Sequence, residues 1–447
     1  MSRLHCTHSS RVRITVGTLF CRAFFLSVVC GGRASCVGDT RTFVGTAASA
    51  CPAVDAACTV MLGPAYFEGM RLLNQSLCAE TPSPVICYGR GYCVVENAQW
   101  VSNTLTVSNC TLIAERFSNS GPGFMGSTGL PKTLSSVFTN PSLLYPSQCA
   151  RKSAFAMVWV PESKDKPGNV AHELMQWHSV FLSRRAIGLG DDDINNTLII
   201  ADTAADYQDS WGLGSLFSSN PFVLARNIPD GTCFDKVLLT MAGGCSPLWT
   251  HHWKRDNCRD IPLIKQYTHA ILKRFDALSI PPPKKPTILW IDRSDVGTRV
   301  IQHQDEVISW IRAEYGDRVT VCKQRMKDLS FREQVHLVRS SNILIGASSG
   351  LIFALLLADE GVVVELQFIF STPTEAAHSR NIARYAGKIH IMLLGNGPPR
   401  NFDDGRAQAQ IETNVTMLKR SVVSAIDAAS SFDMSAGLLA RRLQRKG

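Results

Sequence analysis

The stretch ILIGASSGLIFALLLAD carries the residues best suited to chemistry, because Gly346, Ser348, Ser349 and Gly350 stand where an apolar strand gives way to an apolar helix. Two glycines allow a tight turn and close backbone approach, either serine can cap the helix, and the free N–H groups of a helix start favour a phosphate. The spacing lacks the G-x-G-x-x-G of a dinucleotide fold and the lysine of a P-loop, which argues against a nicotinamide enzyme and a P-loop NTPase. Asp191-Asp192-Asp193 has the donor type for a divalent cation, but it follows Gly188-Leu189-Gly190 and reads as a solvated acidic turn. His251 and His252, beside Trp249 and Trp253, have no third ligand placed by the sequence and read as loop packing.

The elements that must position these residues are clearest after the PPPKKP stretch at Pro281–Pro286, which cannot continue a helix and is expected to be a linker. Beyond it, ILWI (288–291), VTVC (319–322), ILIG (343–346), VVVEL (362–366) and IHIML (389–393) are short runs that are apolar nearly throughout. Helical segments separate them. Val300, Val307, Ile308 and Ile311 recur at helical spacing, and Ser330 with Glu333 forms a capping box. Continuous apolar strands alternating with helices predict a parallel sheet covered on both faces, a Rossmann-like domain. A final amphipathic helix is expected over 406–429, with Ile411, Val415, Leu418, Val422 and Ile426 on one stripe.

Upstream, residues 36 to about 160 are rich in Cys, Ser and Gly, with strand-like patches CYGRGYCVV and TLTVSNCTLI; helices and short strands then alternate to about Pro281. Of 15 cysteines, 12 lie between Cys36 and Cys322 and none has the paired C-x-x-C spacing of a zinc site, so disulfides in an oxidising compartment are expected. The only long apolar run is Ile14–Cys30, with Arg3, Arg11 and Arg13 before it and GGRAS after it. It reads as a secretory address, either a signal cleaved after Ala34 or an uncleaved anchor, and either leaves the rest of the chain lumenal. N-x-S/T sequons at Asn74, Asn109, Asn195 and Asn414 agree with that compartment. The formal charge of +9 comes partly from bases at the two ends, including Arg441, Arg442, Arg445 and Lys446; it reads as solvated tails and gives no ground for a nucleic-acid surface.

The run from Leu289 to Glu365 resembles the catalytic domain of glycosyltransferase family 61, which contains plant xylosyl- and arabinosyltransferases and animal protein O-linked N-acetylglucosaminyltransferases. Trp290-Ile291-Asp292-Arg293 followed by Arg299 is similar to a family strand ending in arginine with a second arginine beyond. Leu329-Ser330-Phe331-Arg332-Glu333-Gln334 matches its l-S-F-x-E-Q segment, Gly346–Leu351 falls on its H-G-A-G-L turn, and Val363-Val364-Glu365 on its V-x-E strand. Asn169 to Glu173 is similar to its N-x-x-H-E segment, and Cys87 to Asn97 to its first Cys-containing strand. Two positions depart: the family's histidine falls on Ala347, and its aspartate four residues after the segment's histidine falls on Gln176.

The resemblance implies two Rossmann-like domains of GT-B type facing a cleft, preceded by a Cys-rich extension. The division expected is a signal or anchor at 1–34, a Cys-rich region at 35–160, an acceptor-side domain at 161–280, a linker at 281–286, a nucleotide-sugar domain at 287–400, and a C-terminal helix and basic tail at 401–447. It implies an inverting transferase that moves xylose, arabinose or N-acetylglucosamine from a UDP-sugar to a glycan or glycoprotein hydroxyl, with no metal and no cofactor beyond the co-substrate. Arg293 and Arg299 are the expected diphosphate contacts, with Gly346, Ser348, Ser349 and Gly350 beside them and Glu365 on a ribose or sugar hydroxyl. His172 or Glu173 is the expected catalytic base, with His178 on the same helix as a further candidate. The expected setting is the Golgi or endoplasmic-reticulum lumen, as a single-pass type II membrane protein or secreted. A non-catalytic relative that binds glycans or scaffolds other transferases is the alternative that Ala347 and Gln176 raise.

Overall fold

In a computed structural model of the chain, the described residues span 74–395 and 411–444, apart from residues 80, 89–91, 102–103, 108–109, 112–148, 150, 160–168, 201–208, 210, 241–245, 247, 249–257, 296–298 and 368–377. The apolar run at 14–30, the sequon at Asn109 and the His251-His252 pair lie outside them. Among the described residues no helix is long and apolar enough to cross a membrane. The chain forms two compact units, Met1–Pro247 and Leu248–Gly447.

The second unit is built on a parallel sheet whose strands fall where the apolar runs predicted them: β9 (Thr287–Ile291), β10 (Thr320–Gln324), β11 (Ile343–Ala347), β12 (Val362–Gln367) and β13 (Ile389–Leu394). Their order is β10-β9-β11-β12-β13, all neighbours parallel. Counted from β9 this is 2-1-3-4-5, a doubly wound order whose direction reverses between β9 and β11. Alternation along the strands divides the side chains between two covers. Ile288, Trp290, Ile343, Ile345, Val362 and Val364 bury against α3 (Gln304–Tyr315) and the last helix, α6 (Val415–Gln444), through Val307, Ile308, Ile311, Leu418, Val422 and Ile426. The opposite face is covered by the 3-10 helix Ser348–Leu355 and by α5 (His378–Tyr385).

α2 (Pro262–Arg274) belongs to this unit, so the division falls at Pro247/Leu248 and the proline stretch 281–286 leads into β9 within the second unit. The contacts explain it: the Asp260 and Ile261 N–H groups donate to Arg384 O and Tyr385 O, and Phe275 meets Phe331 edge to face at 4.9 Å. The capping box is formed at the start of α4 (Phe331–Arg339), where the Ser330 N–H donates to Glu333 Oε2 at 2.8 Å and the Glu333 N–H to Ser330 Oγ at 3.4 Å.

The first unit joins two regions that the sequence separates. Its eight-stranded sheet runs β1 (Asn74–Ser76), β2 (Val85–Tyr88), β3 (Tyr92–Val101), β8 (Thr232–Leu239), β5 (Arg151–Trp159), β6 (Thr197–Ile200), β7 (Val223–Leu224), with β4 (Thr104–Val107) on β3. The strands β7-β6-β5-β8 are parallel, a 3-2-1-4 order when counted from β5, and β3 extends them antiparallel through β8. The Cys-rich region is therefore an extension of the same sheet. Disulfides Cys78–Cys110, Cys87–Cys93 and Cys149–Cys233 tie it together, and Cys258 of the second unit is also disulfide-bonded; Cys322 is free. Cys87 and Cys93 stand directly opposite in the β2–β3 register.

Candidate functional site

In an open α/β sheet, ligands bind outside the carboxyl ends of the strands at the point where strand order reverses. In the second unit that point lies between the ends of β9 and β11. Arg293 and Arg299 follow β9, and residues 348–350 follow β11, so the topology brings these expected donor contacts to one edge of the sheet. Both arginines are half-buried. Burial pushes the Arg293 guanidinium down from its ordinary range, against the opposing attraction of Asp295. A cation so desolvated gains more from an anionic partner than a solvated one does.

A hydrogen-bonded chain holds the β9 exit. Trp290 Nε1 donates to Gln304 Oε1 at 3.1 Å, and Gln304 Nε2 donates to Asp292 Oδ1 at 3.1 Å. Asp292 also accepts from the Ser294 N–H and Oγ, both at 3.0 Å, and lies 3.4 Å from Lys323 Nζ. Burial raises the Asp292 carboxyl, but these donors outweigh it and hold it below the usual carboxylate range. Further along, Asp295 pairs with Lys327, and Arg299 sits in the left-handed region at φ 55°. The β9 loop is thus fastened at several points to α3 and β10.

The β11 exit differs from its sequence reading in two ways. Gly346 lies inside the strand, and a Cβ there would stand 3.3 Å from Ile291 Cβ, a tight contact that the missing side chain relieves between β9 and β11. The segment beyond is a 3-10 helix whose cap position is Ala347, with no side-chain cap bond, so neither Ser348 nor Ser349 is the cap. Alanine has no acceptor to offer. Its side chain is buried in the core, as are all of Leu351 to Ala358, so the helix is fixed by apolar packing on every side. The N–H groups of residues 348–350 begin this helix and have no partner within it.

Glu365 stands on β12 in register with Gly346 and is 0% exposed. Its Oε2 accepts from His390 Nε2 on β13 at 2.8 Å, and its Oε1 is buried with no hydrogen-bond partner among the described residues. His390 had no signal in the sequence: it interrupts an apolar strand, and only the β12–β13 pairing shows what it meets.

His172 and Glu173 belong to the first unit, on α1 (Val170–Ala186). That helix follows the carboxyl end of β5, which with β8 flanks the reversal of strand order in this sheet. Asn169 caps it, accepting from the Ala171 and His172 N–H groups at 3.2 and 3.5 Å. Glu173 is buried, not solvated, and sits in the first turn, where the helix dipole favours its charge. Gln176 is buried as well. His178 is withdrawn from the site: its Nδ1 lies 2.9 Å from Ser246 Oγ, and burial holds it at a pKa of about 3. Trp177 stacks on Trp159 of β5 at 4.1 Å, which fixes the rotation of α1 on the sheet.

The acidic triplet is turned onto the end of the same helix. Arg185 pairs with Asp191, while the Arg184 guanidinium donates to Gly190 O at 2.8 Å and Asp193 O at 2.7 Å. Among the described residues no group of three or more His, Cys, Asp or Glu side chains could hold a metal ion.

Fold and site define an α/β protein with parallel sheets, whose second unit presents cationic and backbone donors at a doubly wound switch point. Residues 233–364 match the family model described as Glycosyltransferase 61, which supports placing the chain in glycosyltransferase family 61. The matched segment contains Arg293, Arg299 and 346–350, ends one residue before Glu365, and begins after α1. No curated protein matches the chain.

Proposed function

We propose that the protein is an inverting, metal-independent glycosyltransferase of GT-B type that uses a UDP-sugar and a glycan or glycoprotein acceptor in the Golgi or endoplasmic-reticulum lumen. The observation that supports the reading is that Arg293 and Arg299 follow β9 and residues 348–350 follow β11, the two strands that flank the switch point of the 2-1-3-4-5 sheet. Leaving-group charge on a diphosphate needs fixed donors and cations already in place. Both kinds stand at that edge. Glu365 Oε1, buried without a partner among the described residues, suits a hydroxyl donor of the ribose or sugar.

On this reading the acceptor belongs to the first unit. Glu173 or His172 takes the proton of the acceptor hydroxyl as its oxygen attacks the anomeric carbon from the face opposite the diphosphate. Xylose, arabinose and N-acetylglucosamine are the candidate sugars. The test is a panel of UDP-sugars offered to the purified protein, with release of UDP measured. Turnover of one of them, lost in Glu173→Gln, supports the reading; no hydrolysis or transfer from any overturns it.

A second reading, a family relative that binds glycans or scaffolds other transferases without turnover, is favoured by one observation. Ala347, where the family has a histidine, points into the core, and Gln176, where the family has an aspartate, is buried and unable to serve as a base. A protein that binds UDP but turns over no UDP-sugar would have this role.

A further inference from the structure

The first unit has a cavity of about 460 Å³ over the outer face of β2 and β3, closed at one side by the carboxyl end of α1 at Ala186 and Ile187. Pockets of roughly this size take small ligands. Its lining has a definite chemistry. The rings of Tyr88 and Tyr92, opposite one another in the strand register, stack at 4.9 Å with an interplanar angle of 18°; Tyr92 is buried, so the aromatic face the cavity offers is that of Tyr88, backed by Tyr92. Glu96 and Lys236 line it too and stand directly opposite on β3 and β8. Both are exposed, and among the described residues neither side chain makes a hydrogen bond or ion pair, so a carboxylate and an ammonium are left available to a ligand. Asn74, an exposed amide opposite Tyr88 on the edge strand, completes the rim.

One aromatic face, one acceptor, one cationic donor and an amide are the groups that hold a pyranose: its C–H face lies on the ring and its hydroxyls bridge the polar groups. A phosphate is disfavoured, since Glu96 and the negative end of the α1 dipole outweigh the single ammonium. We propose that this cavity is a carbohydrate-binding site, distinct from the donor site of the second unit. Two sources supply that chemistry, the glycan of an acceptor and a glycan carried on Asn74 itself, whose Asn74-Gln75-Ser76 sequon lies on the rim.

The experiment is titration calorimetry on the secreted full chain with xylotriose and with chitobiose, in the wild type, Asn74→Gln, Tyr88→Ala and Glu96→Gln, with the occupancy of Asn74 read by mass spectrometry. If an acceptor glycan is the occupant, the wild type binds one probe, and Tyr88→Ala and Glu96→Gln each weaken binding about tenfold, the scale of one lost aromatic or charged contact. If the Asn74 glycan is the occupant, the wild type is glycosylated there and binds neither probe. Asn74→Gln then binds one, and loses it when combined with Tyr88→Ala or Glu96→Gln. Failure of both the wild type and Asn74→Gln to bind either probe overturns the proposal, as does binding unaffected by Tyr88→Ala and Glu96→Gln. Glu96 is exposed, so its variant decides the matter if Tyr88→Ala does not fold. UDP affinity is expected to be the same in every variant, which separates this site from the donor reading.

Discussion

His390 Nε2 donates to Glu365 Oε2 at 2.8 Å from the neighbouring strand, and the two side chains are 3% and 0% exposed. A carboxylate taken this far out of water needs its partners. Removing the histidine leaves the charge stranded, a loss of about 3 kcal/mol on the scale of broken buried pairs. His390→Ala is expected to lower the urea midpoint accordingly, with His390→Gln, which keeps an N–H donor, recovering part of the loss. Equal destabilisation by both would mean that packing, not the donor, is what His390 supplies.

His178 makes stability depend on pH. Its folded pKa of about 3 lies below the ordinary 6.5 because burial disfavours the cation. Between those values the unfolded chain binds a proton that the folded chain does not, so stability is full above about pH 6.5 and falls as pH drops toward 3, by up to about 1.4 kcal/mol per unit. Thermal melts of the wild type and His178→Asn from pH 7 to 4 check this. The gap between the two should narrow as the medium becomes acidic, and a constant gap would remove His178 from the account.

Gln304 couples the core to the donor edge. Gln304→Leu leaves the Trp290 indole N–H without its acceptor and releases Asp292 from α3, at a cost of roughly 1–3 kcal/mol for the buried indole donor. Weaker UDP binding is also expected, because the loop bearing Arg293 loses a support. UDP binding at wild-type strength would show that the loop holds its shape without the glutamine.

The capping box is separable from function. Ser330→Ala removes the acceptor for the Glu333 N–H and is expected to cost about 1 kcal/mol. UDP affinity should not change, since Ser330 and Glu333 satisfy one another. Denaturation and UDP titration of the same preparation measure the two effects side by side.

Five apolar runs after Pro286 were enough to place every strand of the second sheet within two residues at either end, because strands buried on both faces leave a continuous hydrophobic record. Ser330 and Glu333 were legible for a similar reason, since a capping box is local. What escaped was anything set by pairing between distant strands. Gly346 reads as a turn glycine until its place inside β11, close against Ile291, is seen. His390 reads as an interruption until β13 is laid beside β12. The first unit was divided in the sequence at about residue 160 because its antiparallel strands and its parallel strands have different compositions. The β3–β8 pairing that unites them spans more than 130 residues. Asn169 was legible as part of a motif, and its function as a helix cap appears only with the backbone of α1.

Calorimetric titration of UDP into the full chain, wild type beside Arg293→Ala, tests the central claim most directly. A half-buried guanidinium at the switch point is expected to contribute a charge-assisted contact to the diphosphate. The account predicts that UDP binds the wild type and binds Arg293→Ala at least about tenfold more weakly. Absence of UDP binding by the wild type, or equal affinity in the two proteins, would contradict it.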